Sequence, residues 1–231
     1  MLLHPDKTKC MVITTRQKRQ IHKYKLELEI DGSKIEQVNK HKVLGITIDH
    51  NLSWEEHINV LCKQLSQNIF LLSRLKIYLN ASCLKLFFNA HILSRINYSN
   101  TVWNQAAKEH IDKVESLYKR GIKIISSEQN IPTTQRTKAL NLLNLKNHFF
   151  YNSVCLIFKI QHGLAPTYLN QFITTSSRST SINLIIPYTR IDKFKTSFSF
   201  MAPTYWNQLP KEIRKIDKLG AFKNSVKKYL L

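Results

Sequence analysis

The spacing of hydrophobic residues changes once along this chain, and that change limits the folds open to it. Up to about residue 50 the chain reads as short strands: Leu26, Leu28 and Ile30 alternate in YKLELEI, and CMVITT, KIEQV and KVLGITI are further short apolar runs. A period of two puts one set of side chains on one face of an extended strand. After Ser53 the period lengthens to about 3.6, with Ile58, Leu61, Cys62, Leu65, Ile69, Leu72, Leu75 and Leu79 on one stripe of a helix predicted from about Trp54 to Leu79. The pattern predicts an α+β chain, a small antiparallel sheet followed by helices. Asp31-Gly32 between two alternating segments predicts a hairpin, its glycine serving either a two-residue turn or a bulge.

The helical part divides further. A second helix is predicted over about 82–96, with Asn80 or Ser82 as its cap and Leu84, Phe87, Phe88, His91, Ile92 and Arg95 on one side. A third, over about 108–126, buries Ile111, Val114, Tyr118, Ile122 and Ile125, while Lys113, Ser116, Arg120 and Lys123 form a stripe on the other side. Helices follow near 133–143 and 146–162, the latter stopped by Gly163 and Pro166. Residues 174–199, rich in Ser and Thr, read as a long loop with a short strand or two. A turn of helix at Tyr205 to Leu209 and a last helix from about Leu219, with Phe222, Val226 and Leu230 on one side, complete the pattern. Three regions result: 1–50 with the strands, 51–127 with the first helices, and a helical region over 128–231.

The chain has 35 Lys+Arg against 15 Asp+Glu, a net charge of +20. The excess is +4 in residues 1–50, +5 in 51–127 and +11 in 128–231, so it is spread along the chain and heaviest at the C-terminal end. Such a distribution suits a long polyanion track, with nucleic acid favoured over a membrane surface or mere solubility. Cys10, Cys62, Cys83 and Cys155 are too far apart for a zinc knuckle. MLLHPDKTK leaves no signal-peptide core and no apolar run approaches a membrane span. The expectation is an intracellular protein, nuclear or cytoplasmic, with reduced thiols.

Asp49, Glu55, Glu56 and His57 lie close together within KHKVLGITIDHNLSWEEHI, residues 40 to 58. As a metal or acid/base site the group fails on spacing, because adjacent Glu56 and His57 diverge by about 100° on a helix. As structure it reads as an S-x-x-E capping box, Ser53 accepting from the Glu56 amide while Glu56 reaches back to the Ser53 amide. His91, on an apolar helix face, reads as a core histidine. Trp103 and Trp206 read as core plugs rather than base-stacking platforms. KNSVKKYLL reads equally as a phosphate-tracking or a solubilising terminal helix.

The stretch HKVLGITIDHNLSWEEHI also resembles a block that follows the catalytic palm in reverse transcriptases of non-LTR (LINE-type, jockey-like) retrotransposons: K-Y-L-G, a hydrophobic residue, x, I/L, D, then L-S-W-x-x-H-I. Upstream, HPDKTKCMVI is similar to that family's Asn, two residues, Lys-Thr, with His4 in place of the Asn and Lys7-Thr8 fitting. Downstream, AHILSRINYSNTVWNQA and VESLYKRGIKII resemble its thumb and connecting helices, and the segment from SFSFMAPTYWNQLP to the C-terminus resembles its usual ending. The resemblance implies a C-terminal part of such an enzyme: the end of the palm, the primer grip, the thumb and a basic C-terminal region. By the same resemblance Lys7 would stand near an incoming nucleotide's phosphates, residues 42–49 with Lys42 and Gly45 would form the primer grip, and Lys113, Arg120 and Lys123 on the thumb would track the template–primer backbone.

Polymerases of this family hold two Mg2+ ions on a first Asp and an Asp-Asp pair, and this sequence contains no Asp-Asp dipeptide. The expectation is a chain that begins after that pair, carries no catalytic or metal-ligating residues and no cofactor of its own, and binds an RNA or DNA primer–template without polymerising. The missing polymerase portion of the same element is a further expected partner, and a membrane is not. The alternative is a non-enzymatic basic helical module that binds nucleic acid or protein in a cellular role. An enzyme of another kind would need a nucleophile triad, a phosphate-cradling Gly loop or a metal cluster, none of which the spacing offers.

Overall fold

The computed structural model describes residues 4, 7–14, 16–21, 26–126, 131–175 and 183–231. Thr15 and residues 24 and 25 of the expected strands, and residues 176–182 of the expected loop, lie outside that set. The architecture is α+β. Contacts divide it into two compact units, Met1–Gln64 with Ala106–Val114, and Leu65–Gln105 with Glu115–Leu231.

The described residues of the first unit form six short strands, β1 (Lys9–Cys10), β2 (Glu29–Ile30), β3 (Ser33–Lys34), β4 (Glu36–Gln37), β5 (Lys40–Val43) and β6 (Ile46–Asp49), and a short helix α1 (Arg16–Ile21). The expected single antiparallel sheet is not what they form. Among the described residues there are three separate two-stranded ladders, β1-β4, β2-β3 and β5-β6, and β1-β4 is parallel. Its register sets Lys9 opposite Glu36, and the two side chains are ion-paired. The alternation that suggested a longer strand has no core to face: Leu26 and Leu28 are 44% and 45% exposed. Helix α1, RQKRQI, lacks the apolar period by which a helix is read from sequence.

Two-residue turns close both antiparallel hairpins. Asp31 and Gly32 have φ of 49° and 74°, Leu44 and Gly45 of 47° and 83°, the left-handed pairs that fit the twist of adjoining strands. Gly45 adopts this at no steric cost, but Leu44 does so with a Cβ and is 86% exposed, so little packing compensates it. Leu44→Asn is therefore expected to raise stability by about 1 kcal/mol, read as a higher urea midpoint at unchanged slope. A lower midpoint would mean that the leucine is held by contacts worth more than its backbone strain.

Helix α2 (Glu55–Leu75) runs for 21 residues, with Ile58, Leu61, Leu65, Ile69 and Leu72 buried along one stripe. It stops four residues short of the expected Leu79, and Asn80, one of the two expected caps, caps α3 (Ala81–Phe88), its side chain accepting from the Cys83 amide at 2.9 Å. A π turn at Asn89–Leu93 then leads into α4 (Ser94–Asn97). The π turn corrects the expected face. Leu84, Phe88, Ile92 and Ile96 are buried at a constant spacing of four, which an unbroken α-helix would spread around its circumference and a wider turn keeps in line. His91 is consequently exposed, its ring tilted against that of Phe87 with centroids 4.5 Å apart, and is not a core histidine.

Next come α5 (Asn100–Trp103) and α6 (Lys108–Ile125). Trp103 is fully buried and donates from Nε1 to the Tyr98 carbonyl at 3.0 Å. On α6, Val114, Tyr118, Ile122 and Ile125 are buried as predicted, whereas Ile111 is only half-buried. Gly121 meets the ring of Phe88 so closely that a Cβ there would stand 2.6 Å from its Cε2. Phe88, itself fully buried, lies 5.5 Å from the Tyr118 ring. The Tyr118 hydroxyl donates to the Leu143 carbonyl at 2.5 Å and lies 3.3 Å from His148 Nε2.

Helix α7 (Thr133–Ala139) precedes α8 (Leu145–Gln161), which Asn144 caps by accepting from the Asn147 amide at 2.8 Å. Burial nearly all round makes α8 the centre of the second unit rather than an amphipathic surface helix. A 3-10 turn (Thr167–Phe172) precedes the expected loop; within it Thr175 bridges Leu184, and a short helix, α9 (Asp192–Lys195), stands where no helix was expected. The single helical turn expected at Tyr205 is instead the end of α10 (Phe198–Gln208), which carries Pro203 inside it. Short α11 (Lys211–Arg214) leads to α12 (Leu219–Leu230), whose start and apolar face follow the sequence reading. Phe158 of α8, Trp206 of α10 and Phe222 of α12 meet in one cluster, the Phe158 and Phe222 rings 4.5 Å apart and those of Trp206 and Phe222 5.7 Å apart. At its far end Asn147 Nδ2 donates to the Leu230 carbonyl at 2.7 Å, tying α12 to α8. No helix among the described residues is long and apolar enough to cross a membrane.

Candidate nucleic-acid interface

The joint between β6 and α2 is organised by one carboxylate. Asp49, 9% exposed at the end of β6, accepts from the Asn51 amide at 2.9 Å, the Ser53 amide at 2.9 and 3.1 Å, the Ser53 hydroxyl at 3.1 Å and the Trp54 amide at 2.9 Å. Leu52 and Trp54 take left-handed backbone angles of 52° and 63° to present those amides inward. Burial works to raise the Asp49 pKa, but the donors from Ser53, Trp54 and Asn51 outweigh it and hold the carboxyl below its ordinary value.

This arrangement replaces the expected capping box. The Ser53 amide is already committed to Asp49, so Glu56 cannot cap it; Ser53 Oγ instead accepts from the Glu55 amide at 3.3 Å. Glu56 turns to Lys40 on β5, at 3.2 Å. His57 is kept below its ordinary pKa by burial first and by the charge of Lys42 second, so it is neutral at pH 7. The acidic group thus divides among tasks: Asp49 fixes a turn, Glu55 sits exposed in the first turn of α2, Glu56 balances a lysine, and His57 backs onto another.

Strand β5 presents its cations on one face. Lys40 and Lys42 are two residues apart and so project to the same side, beside Glu56 and His57. Lys40 is partly neutralised by its partner, whereas Lys42 makes no ion pair among the described residues. Two residues beyond Lys42, the Leu44-Gly45 turn forms the hairpin tip. Lys7 is exposed, its amide donating to the His4 carbonyl at 3.1 Å, as do the Thr8 amide at 3.1 Å and the Thr8 hydroxyl at 2.9 Å. The His4 carbonyl therefore gathers the donors of that turn.

On α6, Lys113, Ser116, Arg120 and Lys123 are all exposed. Their i, i+3, i+7, i+10 spacing extends them over about 15 Å of helix. Lys119 is exposed too but is paired with Glu115 at 2.7 Å. Lys113 lies near Cys62, whose thiol burial pushes up against the opposing influence of the lysine. The structure keeps Lys42 and Gly45 together on one hairpin and Lys113, Arg120 and Lys123 together on one helix face. Sequence reasoning missed the role of Asp49 and the Lys40–Glu56 pair. The signal for the first was the short gap from Asp49 to Ser53, where a buried strand-end acid can meet the amides of a following turn.

Comparison with protein-family models, with curated proteins and with solved structures yields no match to this chain.

Proposed function

We propose that this chain is the C-terminal part of a non-LTR retrotransposon reverse transcriptase, with the end of the palm, the primer grip and the thumb, and that it binds primer–template nucleic acid without polymerising by itself. The observation that carries the reading is the β5-β6 hairpin and its joint to α2. The L-G, D and S-W residues on which the resemblance rests are those that make the left-handed tip at Leu44-Gly45 and the Asp49-centred turn. An exposed leucine held at a cost in backbone strain is the kind of feature kept for contact with a ligand. Lys42 beside the tip and the Lys113, Arg120 and Lys123 face supply charge for phosphates, and backbone contacts of this sort bind without reading sequence.

The residues here do not fit the Mg2+ pair of the complete polymerase. Asp-Asp is absent from the sequence, and both oxygens of the buried Asp49 are engaged by amides and a hydroxyl.

The reading is tested by titrating a primer–template duplex with the full chain at several salt concentrations. Binding should weaken steeply with salt, and replacing Lys113, Arg120 and Lys123 together by Gln should reduce the slope of log K against log salt by about 2 to 3. Leu44→Asn should weaken binding although it stabilises the fold. An affinity flat across salt, an unchanged slope in the triple variant, or primer extension by this chain alone would each overturn the proposal.

A further inference from the structure

We propose that the cleft lined by α3, its π turn, α4, residues 141–143, α8 and α12 is a binding site for a nucleoside monophosphate. The cavity has a volume of about 310 Å³ and lies wholly within the second unit. That is near the lower end of small-molecule sites, roughly 300–1,000 Å³, and suits one nucleotide better than a strand.

Its charge is one-sided. Lys85 from α3 and Lys227 from α12 both line it, both are half-buried, and neither makes an ion pair among the described residues. No carboxylate among the described residues lines the cavity. Two cations lining one partly desolvated space suit an anion, and a phosphate monoester has oxygens to offer to both. Lys227 also reinforces burial in keeping His148, on the same wall, neutral.

The remaining wall suits a nucleoside. Leu93, Leu142 and Leu143 with the ring of Tyr151 give an apolar surface for a flat ring. Asn89, Asn97 and Asn141 add amides that can both donate and accept. Asn97 is oriented in advance: its Oδ1 accepts from Asn152 Nδ2 at 3.1 Å and Asn100 Nδ2 at 3.5 Å, while Asn152 also reaches Asn100 Oδ1 at 3.0 Å. That leaves the Asn97 amino group as the donor it can present. The Asn89 Oδ1 is buried without a partner among the described residues, so on this wall an acceptor is still unmatched. The π turn that carries Asn89 and Leu93 to the cavity is a form of helix often kept at ligand sites.

The site is separate from the duplex-binding residues, and calorimetry on the full chain separates the two readings. The four common nucleoside 5′-monophosphates are titrated individually, with adenosine and inorganic phosphate as further arms. At least one monophosphate should bind saturably at one per chain, and Lys85→Gln and Lys227→Gln, at half-exposed positions, should each weaken it by about tenfold or more. These variants should leave duplex binding unchanged, while the triple variant on α6 should leave nucleotide binding unchanged. Absence of saturable monophosphate binding up to about 1 mM, or binding indifferent to both lysines in variants with an unaltered circular dichroism spectrum, would overturn the proposal. Inorganic phosphate binding as tightly as the monophosphate would overturn the nucleoside part. If a single-stranded oligonucleotide binds through these lysines and no monophosphate does, the mononucleotide assignment fails as well.

Discussion

Replacing Trp206 by Ala is expected to cost the second unit about 3 to 5 kcal/mol, the range for removing a large aromatic from a packed core. The indole is fully buried against Phe222, in a cluster that also holds Phe158, Ala202, Leu209 and Val226. Truncation would leave a hole bounded by α8, α10 and α12, and the rigid Phe222 and Phe158 rings cannot collapse into it without leaving their own contact. The measurement is urea unfolding followed by circular dichroism. Since single domains carry roughly 5 to 15 kcal/mol in total, the variant should be partly unfolded in mild denaturant. A loss below about 1 kcal/mol would mean that α10 and α12 do not pack on α8 as described.

The second large effect belongs to Asp49. Asp49→Ala strands the amides of Asn51, Ser53 and Trp54 and the Ser53 hydroxyl at once. Hydrogen bonds to a charged group contribute about 1.5 to 3 kcal/mol each, and because these four share one acceptor their losses do not add, so about 3 kcal/mol in all is expected. The pH dependence has a definite sign. The folded-state pKa is depressed below the ordinary carboxyl value of 3.8, so the unfolded chain takes up the proton first as pH falls. The contribution is complete above about pH 4 and is lost as pH drops through the lower folded value. Unfolding at pH 6 and pH 3 should show the wild type losing more than the Ala variant does. Equal losses would mean that another group sets the acid sensitivity. Asp49→Asn, with one acceptor oxygen instead of two, should fall between.

The legible part of the fold is the part where packing follows a simple period. The stripe of α2, the buried face of α6 and the start of α12 could all be read because the apolar residues of each recur at 3.6 and are buried on one side. The alternation in LELEI misled because β-strand patterning assumes a sheet to pair with and a core to cover, and here Leu26 and Leu28 have neither a long partner strand nor burial. His91 was misplaced because a π turn inserts one extra residue per turn, and no residue type announces such a turn. The length of α10 was hidden by Pro203, which usually signals a boundary. At the candidate interface, the exposed face that holds Lys113, Arg120 and Lys123 was readable from spacing, whereas Lys7 and Lys42 were singled out only by the resemblance. Their local partners were not, since the Lys40–Glu56 pair joins residues sixteen apart on a strand and a helix. The S-W-E-E segment met the rule for a capping box, but a buried acid four residues upstream competed for the same amide and won.

Gly121 bears on more than local packing. With no side chain there, α6 seats against the Phe88 ring like a key in a slot, and only one rotational setting of the helix brings the missing atom to that ring. Turning α6 by one residue would offer Arg120 or Ile122 to the same place, each with a Cβ the slot does not admit. The aim of the exposed cations of this helix is therefore set from its hidden side. A substitution at Gly121 would redirect Arg120 and Lys123 without altering the charge of the protein at all.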